Sequence, residues 1–319
     1  MDPRIAGGRD TLLLCAAVIL GTVLAPQVAF FGLPVAAAGI AGLTYRGRST
    51  YAAYAAAVGV VAVGVAHLSD VVFVAPALAA VMLTVWLLPK RPVQIVAGAL
   101  IAVLALASAG VDMLIARSAG LTLSASVAKD ADSLVAALAK SMGSSASASL
   151  LKQLHDTART VASAWPSAYF QSAVFMGILV IAAIAWAARR ADRPLDIPPL
   201  SRLDITPHVL WAFVGGLLLL AASYGSFSAA GALGVVGLNL VLCARALFFL
   251  QGASVSAGLL ERAGVGFGGR FLALIALLVL DALTLAVSFT GLLDFWINFR
   301  RLPRDGAAPV VPEPSARRW

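Results

Sequence analysis

The chain has 319 residues, of which 61% are hydrophobic and only 12% charged, with a mean hydropathy of +0.94. No water-soluble fold can cover that much apolar surface, so the composition excludes an ordinary soluble domain and points to a membrane protein. The net charge of +8 would suit a nucleic-acid binder in a soluble chain. Here Lys and Arg sit beside apolar stretches, as in cytoplasmic loops facing anionic lipid, so the bilayer and not nucleic acid is the expected partner.

At roughly 20 residues per crossing, the length accommodates about eight or nine spans, short connections and one larger loop. Arg4 and Arg9 precede an apolar block at residues 11–43. The start looks superficially like a signal peptide, but no convincing cleavage site follows, and it is read as the first span with a cytoplasmic N-terminus. Pro26, Gly32 and Pro34 divide this block into two short helices. The basic turn Tyr45-Arg46-Gly47-Arg48 brings the chain back inside. Spans over 50–66 and 71–88 flank His67-Leu68-Ser69-Asp70, which carries no Lys or Arg and so faces outward. Pro89-Lys90-Arg91-Pro92 returns inside ahead of a fifth span over 93–115.

Between Arg117 and Trp165 the composition turns to Ser, Ala and mixed charge. Leu134, Leu138 and Met142, then Leu150 or Leu151, Leu154, Ala158 and Val161, recur at helical spacing. This predicts an external amphipathic hairpin hinged over 141–149, either lying on the bilayer or serving as a lid for a partner or substrate. Trp165, Pro166 and Tyr169 read as an interfacial belt opening a sixth span over 168–186. Arg189, Arg190, Arg193 and Arg202 mark the strongest inside signal. A seventh span follows over 209–223, an eighth from Gly231 that can extend to Leu260, and a ninth over 271–293. The tail carries Arg300, Arg301, Arg304, Arg317 and Arg318. Nine spans starting inside would finish outside, whereas these arginines ask for a cytoplasmic end. The first block and the long eighth span are where the count can change.

The expected fold is therefore all-α, a polytopic transmembrane helix bundle of the inner membrane. Residues 1–115 form an N-terminal bundle of about five spans, 116–166 the hairpin, 167–299 a C-terminal bundle of three or four spans, and 300–319 a disordered basic tail.

Arg245 and Asp281 are the most informative residues, because a charge centred in an apolar span costs roughly 2.5 to 3.5 kcal/mol on insertion scales. Arg245 lies about 15 residues from Glu261-Arg262 and Asp281 about 11 residues from Arg270, so antiparallel helices rising 1.5 Å per residue bring them to similar depth. Two readings stay open. The pair docks two helices as a buried ion pair, or Arg245, Asp281 and Asn239 face a cavity and bind a polar or anionic substrate. Ala17, Gly21 and Ala25 have the four-residue spacing of close helix contacts, either within the chain or docking a partner. Asp70 and Asp112 near outer helix ends are solvated carboxylates or a gate. Trp296 in Asp294-Phe295-Trp296-Ile297-Asn298-Phe299-Arg300 reads as an interfacial anchor or a partner-recognition segment.

Cys15 and Cys243 lie in apolar stretches, and His67, His155 and His208 are scattered, so neither a disulfide framework nor a metal site is expected. Without a nucleophile elbow, a phosphate-binding glycine loop or an acidic metal cluster, no enzyme activity and no cofactor are expected.

Gly291 to Arg300, Phe248-Phe249-Leu250-Gln251-Gly252, Pro198-Pro199-Leu200-Ser201 before Pro207, and Leu33-Pro34 followed by a basic turn together resemble the YybS-like family of uncharacterised bacterial membrane proteins, a domain-of-unknown-function family. That family is similar in architecture to the substrate-capturing S components of energy-coupling-factor transporters and to the cell-shape protein MreD. The resemblance implies a compact membrane bundle that captures or transports a small solute or, alternatively, a non-catalytic scaffold among other membrane subunits of an envelope complex. It carries over no ligand residues. The hairpin and the additional spans depart from a six-helix S component.

Overall fold

The structure, a computed structural model, describes residues 3–142, 147–225 and 228–302. The middle of the expected hinge, part of the turn after the seventh expected span, and the tail beyond residue 302 lie outside the described residues. Within them the chain is helical, with two 3-10 turns and no strand, in agreement with the expected all-α class.

Prolines and basic turns divide the first half much as expected. α1 (Pro3–Leu24) and α2 (Ala29–Tyr45) are separated at Pro26, while Pro34 lies inside α2 instead of ending it. α3 (Ser49–Ala66), α4 (Val71–Leu87) and α5 (Val93–Ser118) follow. α6 (Leu123–Met142) and α7 (Ala148–Ser163) form the hairpin. α8 (Trp165–Arg190) starts at the expected Trp-Pro pair. After an extended linker come α9 (His208–Ala222) and the long α10 (Ala230–Arg262).

The ninth expected span is not one helix. α11 (Phe267–Thr284) ends at Leu285, which adopts a left-handed φ of 59°, and α12 (Ala286–Ile297) leaves at a bend of 97°. A non-glycine residue in that region is uncommon and marks a place where surroundings override local preference.

Among the described residues, five helices are long and apolar enough to cross a membrane: Ser49–Ala66, Leu68–Leu87, Val93–Ser118, Trp165–Arg190 and Ala230–Arg262. The bent pair makes six if it counts as one span. The expected eight or nine also included α1, which is not among these five, and α2 and α9, which are apolar but have only 17 and 15 residues, short of the roughly 20 that span a bilayer.

The chain divides into two compact units, Met1–Ile197 with Leu220–Asn239, and Pro198–Leu219 with Leu240–Trp319. In the first unit, α2 packs on α1, α3, α4 and α8, and α5 packs on α4 and α8. The core is aliphatic, with Leu33, Ile40, Leu43, Val81, Leu100 and Ile184 all buried. Gly21 and Gly32 let α1 and α2 touch through their backbones, since a Cβ on Gly21 would overlap Ala36 N and Gly32 O. Of the small residues proposed for partner docking, Gly21 and Ala25 are thus buried inside the unit and Ala17 is half-buried. Outward side chains such as Leu12, Phe31, Val65 and Leu106 are exposed, as on a surface solvated by lipid tails.

The hairpin is stitched by His155 Nδ1 to Asp132 Oδ1 at 3.3 Å and by Trp165 Nε1 donating to Ser124 Oγ at 3.1 Å. Its inward contacts come from Val135 and Ala162, whereas Leu134, Leu138 and Val161 of the periodic apolar stripe are exposed. That stripe is available to a bilayer surface.

The second unit is organised where α10 and α12 cross. A Cβ on Gly252 would overlap the Val287 carbonyl oxygen, and one on Gly291 would overlap the Phe248 carbonyl oxygen. Both helices need a missing side chain at this crossing. Gly291→Ala should therefore destabilise the protein by about 1–3 kcal/mol, read as a lowered unfolding midpoint in lipid or detergent. Gly98→Ala, with nothing within 4 Å of the added carbon, should be neutral or stabilising in the same assay.

Candidate functional site

Two polar clusters stand out in the second unit. The first contains the expected pair, with Arg245 Nη2 3.3 Å from Asp281 Oδ2 and 3.4 Å from the Asp281 carbonyl oxygen. Asp281 also meets the first turn of α12, from four residues ahead of its N-cap residue Leu285. Ser288 donates its N–H to Oδ1 at 2.7 Å and its hydroxyl to Oδ2 at 2.9 Å. A carboxylate at a helix N-terminus satisfies an orphan donor and meets the positive end of the helix dipole. The left-handed residue at Leu285 turns the start of α12 back toward this carboxylate, which gives the break a local cause. Asp281 keeps 6% of its side-chain surface and Arg245 38%, so the pair is only half enclosed.

Asn239 is placed elsewhere, within the first unit. Its Oδ1 accepts the Ser167 N–H at 2.9 Å, and its Nδ2 donates to the carbonyls of Ser163 at 2.9 Å and Val235 at 2.8 Å. It staples the α7–α8 junction to the first turns of α10, and these three hydrogen bonds all lie within the first unit. Asp70 and Asp112 both line a cleft of about 210 Å³ that also includes Ser108 and Phe73. The Tyr169 hydroxyl donates to Asp112 there.

The second cluster was not anticipated as a site. Arg300 and Asp294 retain 2% and 0% of their side-chain surface and lie 2.9 Å apart. Arg300 Nη2 also reaches Asp204 Oδ1 at 3.1 Å, and Nη1 donates to Ser254 Oγ at 2.6 Å and to the Leu203 carbonyl. Gln251 Nε2 donates to Asp204 Oδ1 at 2.7 Å and Asp294 Oδ2 at 2.9 Å, while its Oε1 accepts the Ile205 N–H at 3.0 Å. Asp294 Oδ1 accepts the Phe299 N–H at 2.8 Å just past the end of α12. Charge-assisted bonds of this kind are roughly twice as strong as neutral ones. Among the described residues, Arg300 Nε is buried without a partner.

Above this floor opens a cleft of about 680 Å³, walled by Ser201, Arg202, Asp204, Glu261 and Arg262 together with Arg300. Asp204, with 30% of its side chain exposed, links the buried network to the opening. Arg262 closes one wall by donating to the carbonyls of Phe299 at 3.4 Å and Arg300 at 2.7 Å. Charges of both signs at one mouth can bind hydrogen-bond donors and acceptors of the same small molecule. Among the described residues no three His, Cys, Asp or Glu are grouped to hold a metal ion. Trp296, expected as an anchor, is exposed, as a ring at a membrane interface would be. The polar residues flanking it, Asp294 and Arg300, face the buried network.

Residues 12–295 match the family described as Predicted membrane protein (DUF2232). The chain belongs to this family. The membership agrees with the resemblance read above, and two of the segments that carried it, residues 248–252 and 291–300, contribute Gln251, Asp294 and Arg300 to the buried network. No curated protein and no solved structure matches the chain.

Asp294→Asn should destabilise the protein by on the order of 3 kcal/mol, because it leaves a buried guanidinium undercompensated. Asp10→Asn, which removes an exposed pair to Arg46 at 3.0 Å, should shift the unfolding midpoint by less than about 1 kcal/mol. At the first cluster, Asp281→Ala should be clearly worse than Asp281→Asn if capping α12 is the main role, since Asn caps well and Ala costs about 1 kcal/mol. Equal losses in thermal unfolding would instead assign the effect to the charge pair.

Proposed function

We propose that this protein is a non-enzymatic, multi-pass inner-membrane protein that captures a small polar solute in the 680 Å³ cleft, in the manner of an S component. The observation that carries the reading is the cleft itself. It falls in the ~300–1,000 Å³ range of small-molecule sites, and its floor is held in place by the Arg300 network before any ligand arrives. Preorganised charge of this kind lowers the ordering cost of binding.

Topology supports a cytoplasmic mouth. The linker with Arg189, Arg190, Arg193 and Arg202 and the end of α10 at Arg262 are both basic, as inside segments are. Arg300 bonds back to Leu203 and Asp204 in that linker. The bent α11–α12 pair therefore acts as a re-entrant element, not a ninth crossing. Counting α1 and the short α2 and α9 as crossings beside the five long helices gives eight spans, which leaves both termini in the cytoplasm and removes the conflict with the arginine-rich tail. An MreD-like scaffold is the competing reading, supported by the aliphatic, small-residue interior of the first unit.

Purification of the full chain from native membrane, followed by mass spectrometry of retained small molecules, tests the proposal. A polar compound should be enriched at least tenfold over an Arg202→Ala/Glu261→Gln double variant of equal melting temperature. A preparation retaining no such compound but carrying envelope-synthesis proteins would favour the scaffold. A green fluorescent protein fused to the C-terminus should fluoresce, and alkaline phosphatase fused there should be inactive.

A further inference from the structure

The Arg245 pair borders a second opening in the same unit, a groove of about 210 Å³ whose walls include Phe213, Leu217, Val241, Phe248, Phe289 and Leu292. Arg245 is the one charged residue among those lining it. Among the described residues its guanidinium is engaged through Nη2 alone, by the carboxylate and carbonyl of Asp281. The side chain is 38% exposed, and Nε and Nη1 make no hydrogen bond to the described residues. A donor left unpaired at hydrocarbon depth costs several kcal/mol. Asp281 does not offset this fully, because both its oxygens also serve Ser288 at the N-terminus of α12. The positive helix end and the guanidinium together outweigh a single carboxylate, so the rim of the groove favours an added anion.

We infer that the groove holds a long-chain monocarboxylic acid, with its carboxylate on Arg245 and its hydrocarbon against the Phe213, Phe248 and Phe289 rings. Depth selects this occupant. Within α10, Arg245 lies about 22 Å from the first residue and about 26 Å from the last at 1.5 Å per residue, near the middle of the helix. A diacyl phospholipid keeps its phosphate at the interface and cannot reach that level. A single carboxyl group can be carried into hydrocarbon in its neutral form and meets the guanidinium there. The walls offer apolar contact for methylene groups, each contributing about 0.8 kcal/mol on transfer from water. This site is separate from the solute cleft and does not depend on what the cleft binds.

Equilibrium binding of radiolabelled oleate to the full chain in phosphatidylcholine nanodiscs tests the inference. Saturable binding near one oleate per chain is expected, weakened at least tenfold by Arg245→Gln. Leu217→Trp fills the groove without touching the ion pair and should weaken binding as much at an unchanged melting temperature. Arg202→Ala, in the other cleft, should bind oleate normally, and methyl oleate should fail to compete. Non-saturable binding, full binding by both groove variants, or competition by methyl oleate would overturn the inference. So would displacement of oleate by phosphatidylglycerol, or a wild-type dimer that Leu217→Trp makes monomeric, which would assign the groove to a lipid headgroup or to a second copy.

Discussion

A guanidinium with 2% of its side-chain surface exposed must be met by acceptors on nearly every side, and this requirement at Arg300 governs the second unit. Ionic groups removed from water lose several kcal/mol of hydration, recovered only with good geometry and complete hydrogen bonding. Arg300 draws its acceptors from three separate stretches: the linker through Leu203 and Asp204, α10 through Ser254, and α12 through Asp294. Moving any of them leaves a buried charge unpaired. The network therefore specifies one register for α12 along α10, and the Gly252–Gly291 crossing supplies the close approach that this register needs. Polar specificity and small-residue packing act on the same interface.

The break at Leu285 follows from the same pair of helices. If α11 continued straight, Asp281 would be a lone carboxylate on a helix flank, with Arg245 as its main charge partner. Ending α11 there lets Ser288 present two donors to it. The left-handed residue has a strain cost of about 1–3 kcal/mol. Two charge-assisted hydrogen bonds to a side chain that is 6% exposed are of comparable or larger size. The balance holds only because the surroundings are apolar, which makes an unmatched carboxylate expensive.

Much of the first unit was legible because its punctuation is chemical. Pro26, the Arg46–Arg48 turn and the Pro89–Pro92 turn each remove a donor or add a charge that hydrocarbon rejects, and helices end at them. The fit of Arg245 to Asp281 was legible for a similar reason, since each charge stands out against its span. Leu285 offered no such sign: Thr-Leu-Ala is ordinary helical sequence, and only the fold makes it a break. The Arg300 network was hidden differently. Asp294 and Arg300 flank Trp296, and that pattern reads equally well as an interfacial anchor. Their partners Asp204 and Gln251 lie far away in the chain, 96 residues from Arg300 in the case of Asp204. Periodicity reports the faces of one helix and says nothing about which distant polar group closes a network. Asn239 shows the converse. Its chain position next to Arg245 suggested a shared site, yet its three hydrogen bonds serve another junction.

The two openings of the second unit differ in the way their cations are satisfied. At Arg300, protein acceptors take both terminal nitrogens, so that guanidinium is structural, and the cleft above it is lined besides by Arg202, Asp204 and Glu261. At Arg245 one nitrogen holds the pair, and the residue is among those lining an apolar groove. A polar mouth at the basic end of the helices suits a solute that arrives from water. An incompletely satisfied arginine near mid-helix suits one that arrives through lipid. Their separation along α10 follows from the bilayer itself, because water can complete a partly bonded group at the membrane edge, whereas within the hydrocarbon only protein or a ligand can do so.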